Sequence, residues 1–168
     1  MRALAIAAGL FVVLSVAGCN KTSGSETAAP TTLADAQLWD PCSLSDSAVK
    51  AAGVNPSSKD TNAFGAPQAG WKGCVWRNDT YVLSVYSTSH TIDEVRSNTN
   101  FKNIHDVDVS GRQALSYTEQ GEDCGVDFPT SKGVVEIIAR KLGTAATPVD
   151  ECAVALSSAN SLNSSIPK

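Results

Sequence analysis

Residues 74 to 87, Cys74-Val75-Trp76-Arg77-Asn78-Asp79-Thr80-Tyr81-Val82-Leu83-Ser84-Val85-Tyr86-Ser87, decide the fold. On either side of Asn78-Asp79 large apolar residues alternate with polar ones, the period of a strand with one face buried, and Asn-Asp suits the turn between. Two antiparallel strands are predicted, Cys74 to Arg77 and Tyr81 to Ser87. The signature recurs downstream. Ile104 to Val109 and Gln113 to Thr118 flank Ser110-Gly111, and Gly125 to Phe128 and Val134 to Arg140 flank Pro129 to Gly133. Between the first and second hairpins, Thr91-Ile92-Asp93-Glu94 has the form of a capping box, predicting a helix to about Asn100. Ser45 and Gly53 bound a short helix over Asp46 to Ala52. Thr147-Pro148 opens a last helix whose Val149, Cys152, Leu156 and Ala159 share a face expected to pack on the sheet. Hairpin-length links and this order give an α+β fold, an antiparallel sheet of about six strands with helices packed on one face. Asn55 to Gly73 has no period and four Gly or Pro residues before Trp71, and is predicted to be a long irregular loop.

Working outward to the N-terminus, Arg2 is followed by an apolar run from Ala3 to Val16, about 14 residues against the ~20 that span a membrane. This is the pattern of a signal peptide, residues 1 to 18. Val16-Ala17-Gly18-Cys19 resembles the lipobox of bacterial lipoproteins, which implies cleavage before Cys19, lipid on its thiol and anchoring at the extracytoplasmic face of the cell membrane. Two or three acyl chains hold a protein far better than one, at ~0.8 kcal/mol per buried methylene. Asn20 to Gln37 is rich in Ser, Thr and Ala with one large apolar residue, Leu33, and is predicted to be a flexible tether. The expected organisation is therefore a leader (1–18), a lipidated cysteine and tether (19–38) and one folded domain (39–168).

Setting Cys19 aside leaves Cys42, Cys74, Cys124 and Cys152, an even set in a chain expected to cross into an oxidising compartment. Disulfides are the default, and of the three possible pairings the nearest-neighbour one, Cys42 with Cys74 and Cys124 with Cys152, closes two compact loops and is favoured. No close C-x-x-C pair exists to suggest structural zinc or a redox catalyst. Residues 1 to 18 carry one of the 13 basic residues and none of the 17 acidic ones, so the mature part has 12 against 17, a formal charge of −5. Such a chain repels phosphate backbones, and no nucleic-acid partner is expected.

No hydrolase elbow, zincin helix, phosphate loop or dinucleotide turn occurs, so no catalytic residue, metal or cofactor is assigned. His90 and His105 sit in no motif, and an exposed position without a role is the reading preferred for both. Glu119, Glu122, Asp123 and Asp127 gather acid around Cys124, and a solvated hairpin end is expected there in preference to calcium or a carboxylate pair. Phe64 and Trp71 in the long loop, with Trp76 nearby, are the candidate ligand or partner residues. The simpler alternative has Phe64 and Trp71 folding back to close the core beside a Cys42 to Cys74 bridge.

Asp40-Pro41-Cys42, a short helix ending at Gly53, Gly73-Cys74-Val75-Trp76, Gly111-Arg112-Gln113-Ala114, Cys124-Gly125-Val126 and Cys152-Ala153, in this order behind a lipobox, form a recognisable set. From about Trp39 to Leu162 the chain resembles the actinobacterial lipoproteins of domain-of-unknown-function family 3558. The resemblance implies neighbour-paired bridges and a place on the outer face of the cytoplasmic membrane, and it brings no established activity. A more distant similarity is to the extracytoplasmic sensor domains of actinobacterial receptor kinases. The expectation is thus a non-catalytic binding module of the cell envelope, held to the membrane through Cys19, whose partner is an apolar small molecule, a lipid or an envelope protein. The alternatives are an envelope enzyme built on acids such as Asp123 and Asp127 with His105, and a structural or sensor-like accessory protein.

Overall fold

In the computed structural model, residues 37–119 and 123–168 are described. Cys19, the leader, the tether up to residue 36, and Glu122 lie outside them. Among the described residues the strands are β1 (Asn55–Asp60), β2 (Trp71–Arg77), β3 (Tyr81–Thr88), β4 (Lys102–Asp108), β5 (Gln113–Thr118), β6 (Cys124–Thr130) and β7 (Gly133–Lys141). The helices are α1 (Asp46–Ala51), α2 (Ile92–Arg96) and α3 (Glu151–Leu162). All seven strands join one antiparallel sheet in the order β1-β2-β3-β7-β6-β5-β4. The α+β class is as expected, with one strand more.

The β2–β3 hairpin forms because its turn and its alternation agree. Asn78 Oδ1 accepts the Thr80 and Tyr81 N–H groups at 2.8 and 2.9 Å, and the register sets Cys74 beside Val85 and Trp76 beside Leu83. At the β4–β5 turn, Ser110 and Gly111 both take positive φ, +53° and +82°, which matches the twist of the flanking strands. The Asp108 carboxylate accepts the Gly111 N–H there. Arg112, next in line, lies 4.7 Å over the Phe128 ring and donates to the carbonyls of Pro129 and Pro167, fastening the C-terminal segment to the sheet.

Strand alternation sorts the side chains onto two faces. On the first, Cys74, Trp76, Leu83, Val85, Val126, Phe128, Val135 and Ile137 form the main core with Val49 of α1 and with Ala155, Ala159 and Leu162 of α3. On the second, Leu115, Tyr117 and Val134 meet Val95 of α2 in a separate, smaller cluster edged by Ile92, Phe101 and Ile104. The helices are therefore not all on the one face that the sequence led us to expect: α1 and α3 share one, whereas α2, too short to reach across the sheet, lies on the other and covers only part of it.

The bridges are Cys42–Cys74, with Cα atoms 5.2 Å apart, and Cys124–Cys152, 4.9 Å apart. This is the favoured pairing. The first ties the 3-10 turn Pro41–Ser43 to β2, and the second ties β6 to α3. With sequence separations of 32 and 28, each contributes about 3 to 4 kcal/mol through the entropy of the unfolded chain.

Four expectations are corrected. Asn55–Asp60, predicted as loop, is an edge strand on β2; its exposed, polar Asn-Pro-Ser-Ser-Lys-Asp has no hydrophobic period to read, and an edge accepts Pro56. Arg77 N–H donates to Ser58 Oγ there at 2.8 Å, adding a side-chain tie to an irregular register. Second, α3 begins at Glu151 with Asp150 as its N-cap, and buries Ala155, Ser158, Ala159 and Leu162, leaving Leu156 39% exposed. Small residues let the helix approach the sheet closely, so its inner face is the less hydrophobic-looking one. Third, α2 stops at Arg96 rather than near Asn100. Fourth, Leu38, placed in the tether, is buried and takes a hydrogen bond from Lys72 Nζ on its carbonyl, so the fold begins one residue before Trp39.

Candidate functional site

The second face carries a row of side chains that the register alone assembles. Gly73 of β2 pairs with Tyr86 of β3, Tyr86 with Glu136 of β7, Glu136 with Asp127 of β6, and Asp127 with Leu115 of β5. Two carboxylates therefore stand side by side in the middle of a sheet.

Asp127 is completely buried. Its Oδ1 accepts a hydrogen bond from Tyr117 Oη at 3.1 Å, while Oδ2 has no partner among the described residues. Tyr117 reaches it by lying across Gly125, where a Cβ would collide with the ring, and Phe101 stacks on the other side of the phenol at 4.0 Å. Glu136 is only 5% exposed and makes no hydrogen bond or ion pair with any described residue. It forms part of the wall of a groove of about 690 Å³, with Trp71, Phe101, Glu94, Glu119, His90 and the amides of Asn98 and Asn100. Beyond Trp71, Glu119 and Glu136 a further hollow of about 300 Å³ opens against Phe64, Tyr86 and Arg140.

Electrostatics mark this spot. Burial, and then the nearby Glu119, push Glu136 up to about 8. Burial and the neighbouring Glu136 hold Asp127 well above the usual carboxylate range, against the opposing hydrogen bond from Tyr117. Glu119 is raised by burial and by Asp123, with Arg140 opposing. The cation nearest this group is already engaged, since Arg140 Nε donates to Asp123 Oδ2 at 2.6 Å. At neutral pH the Asp127–Glu136 pair thus retains protons that an exposed pair would release.

Of the sequence candidates, Phe64 and Trp71 meet here. Their rings lie 6.0 Å apart, and both pack on Tyr86, with centroids at 4.9 and 6.3 Å; Gly73 leaves room for the Phe64 and Tyr86 rings. They do fold back beside the Cys42–Cys74 bridge, as the simpler alternative held, yet they stay half-buried, with Trp71 walling the groove and Phe64 the hollow beyond it. Trp76 does not join them: it points to the first face and is buried in the main core at 2% exposure. His90, expected to be without a role, stands at the groove rim, edge-on to Trp71 at 5.5 Å and 3.6 Å from Glu94. His105 is exposed, with Nδ1 2.7 Å from the Asn103 carbonyl, and its register partner Ser116 alternates with Leu115 and so faces away from Asp127. Asp123, Asp127 and His105 are not assembled into one site.

The expected solvated hairpin end is likewise corrected. Asp127 is buried, Asp123 is paired with Arg140 and Glu119 is half-buried. Among the described residues no three His, Cys, Asp or Glu side chains are grouped to hold a metal ion, and no helix is long and apolar enough to cross a membrane. Glu136 itself escaped the sequence reading. Its signal is a lone acid within an aliphatic run, Val134-Val135-Glu136-Ile137-Ile138, which on a strand buried on both faces is a buried charge.

An antiparallel sheet with two bridges on a helix-packed face and an acidic, aromatic-walled groove on the other defines a small α+β module. Residues 14–163 match the model of the family described as protein of unknown function (DUF3558), and the chain belongs to that family. No curated protein matches the chain, and no solved structure matches it.

Proposed function

We propose that the protein is a lipid-anchored, extracytoplasmic binding module of the cell envelope, without catalytic activity, and that it takes its ligand in the groove of the second face. The observation that carries this reading is Glu136, buried and without a partner among the described residues, in the wall of a groove that Trp71 and Phe101 also line. Concave sites that combine aromatic walls with a few convergent polar groups are the usual form of a small-molecule pocket. The lipobox at Cys19 supports the anchor, and the two bridges suit an oxidising compartment outside the cytoplasm. The resemblance to actinobacterial lipoproteins supports the same address. Native mass spectrometry of the protein taken from its own host tests the reading. The expected mass has the leader removed, a diacylglycerol on Cys19, both bridges, and a retained small molecule that Trp71→Ala loses. An unacylated protein, or a ligand retained equally by Trp71→Ala, would contradict it.

Glu136 at about 8 also has the poise of a general acid, and this favours an envelope enzyme as the second reading. It ranks lower because the larger groove presents no Ser, Thr, Cys or Lys among the described residues.

A further inference from the structure

If the groove is the binding site, its lining also selects the kind of ligand. A carboxyl group buried to 5% exposure without a partner needs either a proton or a counter-cation, because desolvating the bare anion is costly. Among the described residues, the groups that face Glu136 supply no cation. From β5 comes Tyr117, from just beyond its end Glu119, from β6 Asp127 and from β3 Tyr86, all acidic or neutral. Arg140 on β7 is taken by Asp123, and at the α2 rim His90 stands beside Glu94. Aromatic rings stand in the remaining walls, Trp71 and Phe101 in the main groove beside Val95 and the neutral amides of Asn98 and Asn100, and Phe64 and Tyr86 in the hollow beyond. Aromatic faces attract cations through the ring quadrupole and accept an apolar body equally well.

We infer that the groove takes an organic cation, its ammonium head seated against Glu136 and Glu119 and its apolar body laid on Trp71 and Phe101. This inference rests on the reading of the groove as the ligand site. The cation takes the place of the proton on Glu136, so binding releases a proton. Affinity for a permanently charged ligand rises with pH, at most tenfold per unit, and levels off above about 8, where Glu136 is already ionised. A ligand that instead accepted a hydrogen bond from the protonated acid would show the opposite slope.

The test uses the full mature protein in dodecyl maltoside and three probes of similar shape: benzyltrimethylammonium, neutral benzyl alcohol and anionic phenylmethanesulfonate. Calorimetry follows affinity, and tryptophan fluorescence reports contact with Trp71. The expected result is binding of the cation alone, with affinity rising severalfold from pH 6.5 to 7.5. Glu136→Gln should weaken it at least tenfold and remove that rise, and Glu119→Gln should weaken it less. Gln matches the shape of the protonated acid, and His90→Gln, which should keep the pH dependence, serves as the control for the rim. If benzyl alcohol or phenylmethanesulfonate binds as tightly and Trp71→Ala abolishes it, the cationic ligand is overturned while the groove remains the site. If Glu136→Gln binds the cation as the unaltered protein does, recognition by charge is overturned. If no probe binds, the inference falls, and the broader binding role still stands or falls on the ligand retained in native spectra.

Discussion

The two faces of this sheet are laid down by the same strands, one residue out of phase, and they are finished in different ways. On the first, aliphatic and aromatic side chains meet α1 and α3, the second bridge crosses from β6 to α3, and large side chains such as Trp76, Phe128 and Ile137 are almost wholly removed from water. On the second, α2 covers one end only, a carboxyl group is sealed beneath Tyr117, and another, Glu136, contributes to the wall of an open groove without a partner among the described residues. Burial on the first face stabilises the fold, while burial on the second costs stability at Glu136 and Asp127. A fold tolerates such a cost where the site is kept for something else.

Substitutions can break this contrast, and their expected effects fall in order. Phe128→Ala, in the centre of the first face, should cost about 3 to 5 kcal/mol in urea denaturation, because it removes a large fully buried ring and leaves a cavity. Tyr117→Phe should cost about 1 to 3 kcal/mol by the same measurement, since Asp127 then loses its one side-chain hydrogen bond while remaining buried. Trp71→Ala should change stability least, by about 1 kcal/mol or less, because the ring is half-exposed. A large loss at Trp71 would mean that the second face is a core like the first.

The same contrast explains what could be read from the sequence. Hairpins with one dry face announce themselves by alternation, and β2, β3, β5 and β7 lie close to where the pattern places them. The four cysteines of the folded domain pair with their neighbours as favoured. The edge strand β1 escaped because its Asn-Pro-Ser-Ser-Lys-Asp buries little. The inner face of α3 escaped because packing selected Ala155, Ser158 and Ala159 over Leu156. The carboxylate pair escaped for a reason of register. With a turn spanning Pro129 to Gly133, Asp127 would not stand opposite Glu136. The actual turn is tighter: Thr130 pairs with Gly133, Lys132 N–H donates to Thr130 Oγ1 at 2.9 Å, and Gly133 takes a φ of +89°. A slip of one residue in such a hairpin carries every side chain to the other face, so the pair becomes visible only once the turn is known.

The most direct test of the central claim, that Glu136 is held buried and unpartnered on a face kept for a ligand, is the stability of the unliganded protein and of Glu136→Gln measured from pH 4.5 to 8.5. The folded-state value of Glu136 is raised to about 8 from 4.5, so the native state binds the extra proton. The stability this contributes is complete below about 4.5 and is lost as pH rises towards 8. The account predicts that the two proteins have similar stability at pH 4.5 and diverge above it, with Glu136→Gln more stable by on the order of 4 kcal/mol near pH 8. A variant that is less stable than the unaltered protein across the whole range would contradict it, because Glu136 would then be a satisfied structural residue rather than one awaiting a partner.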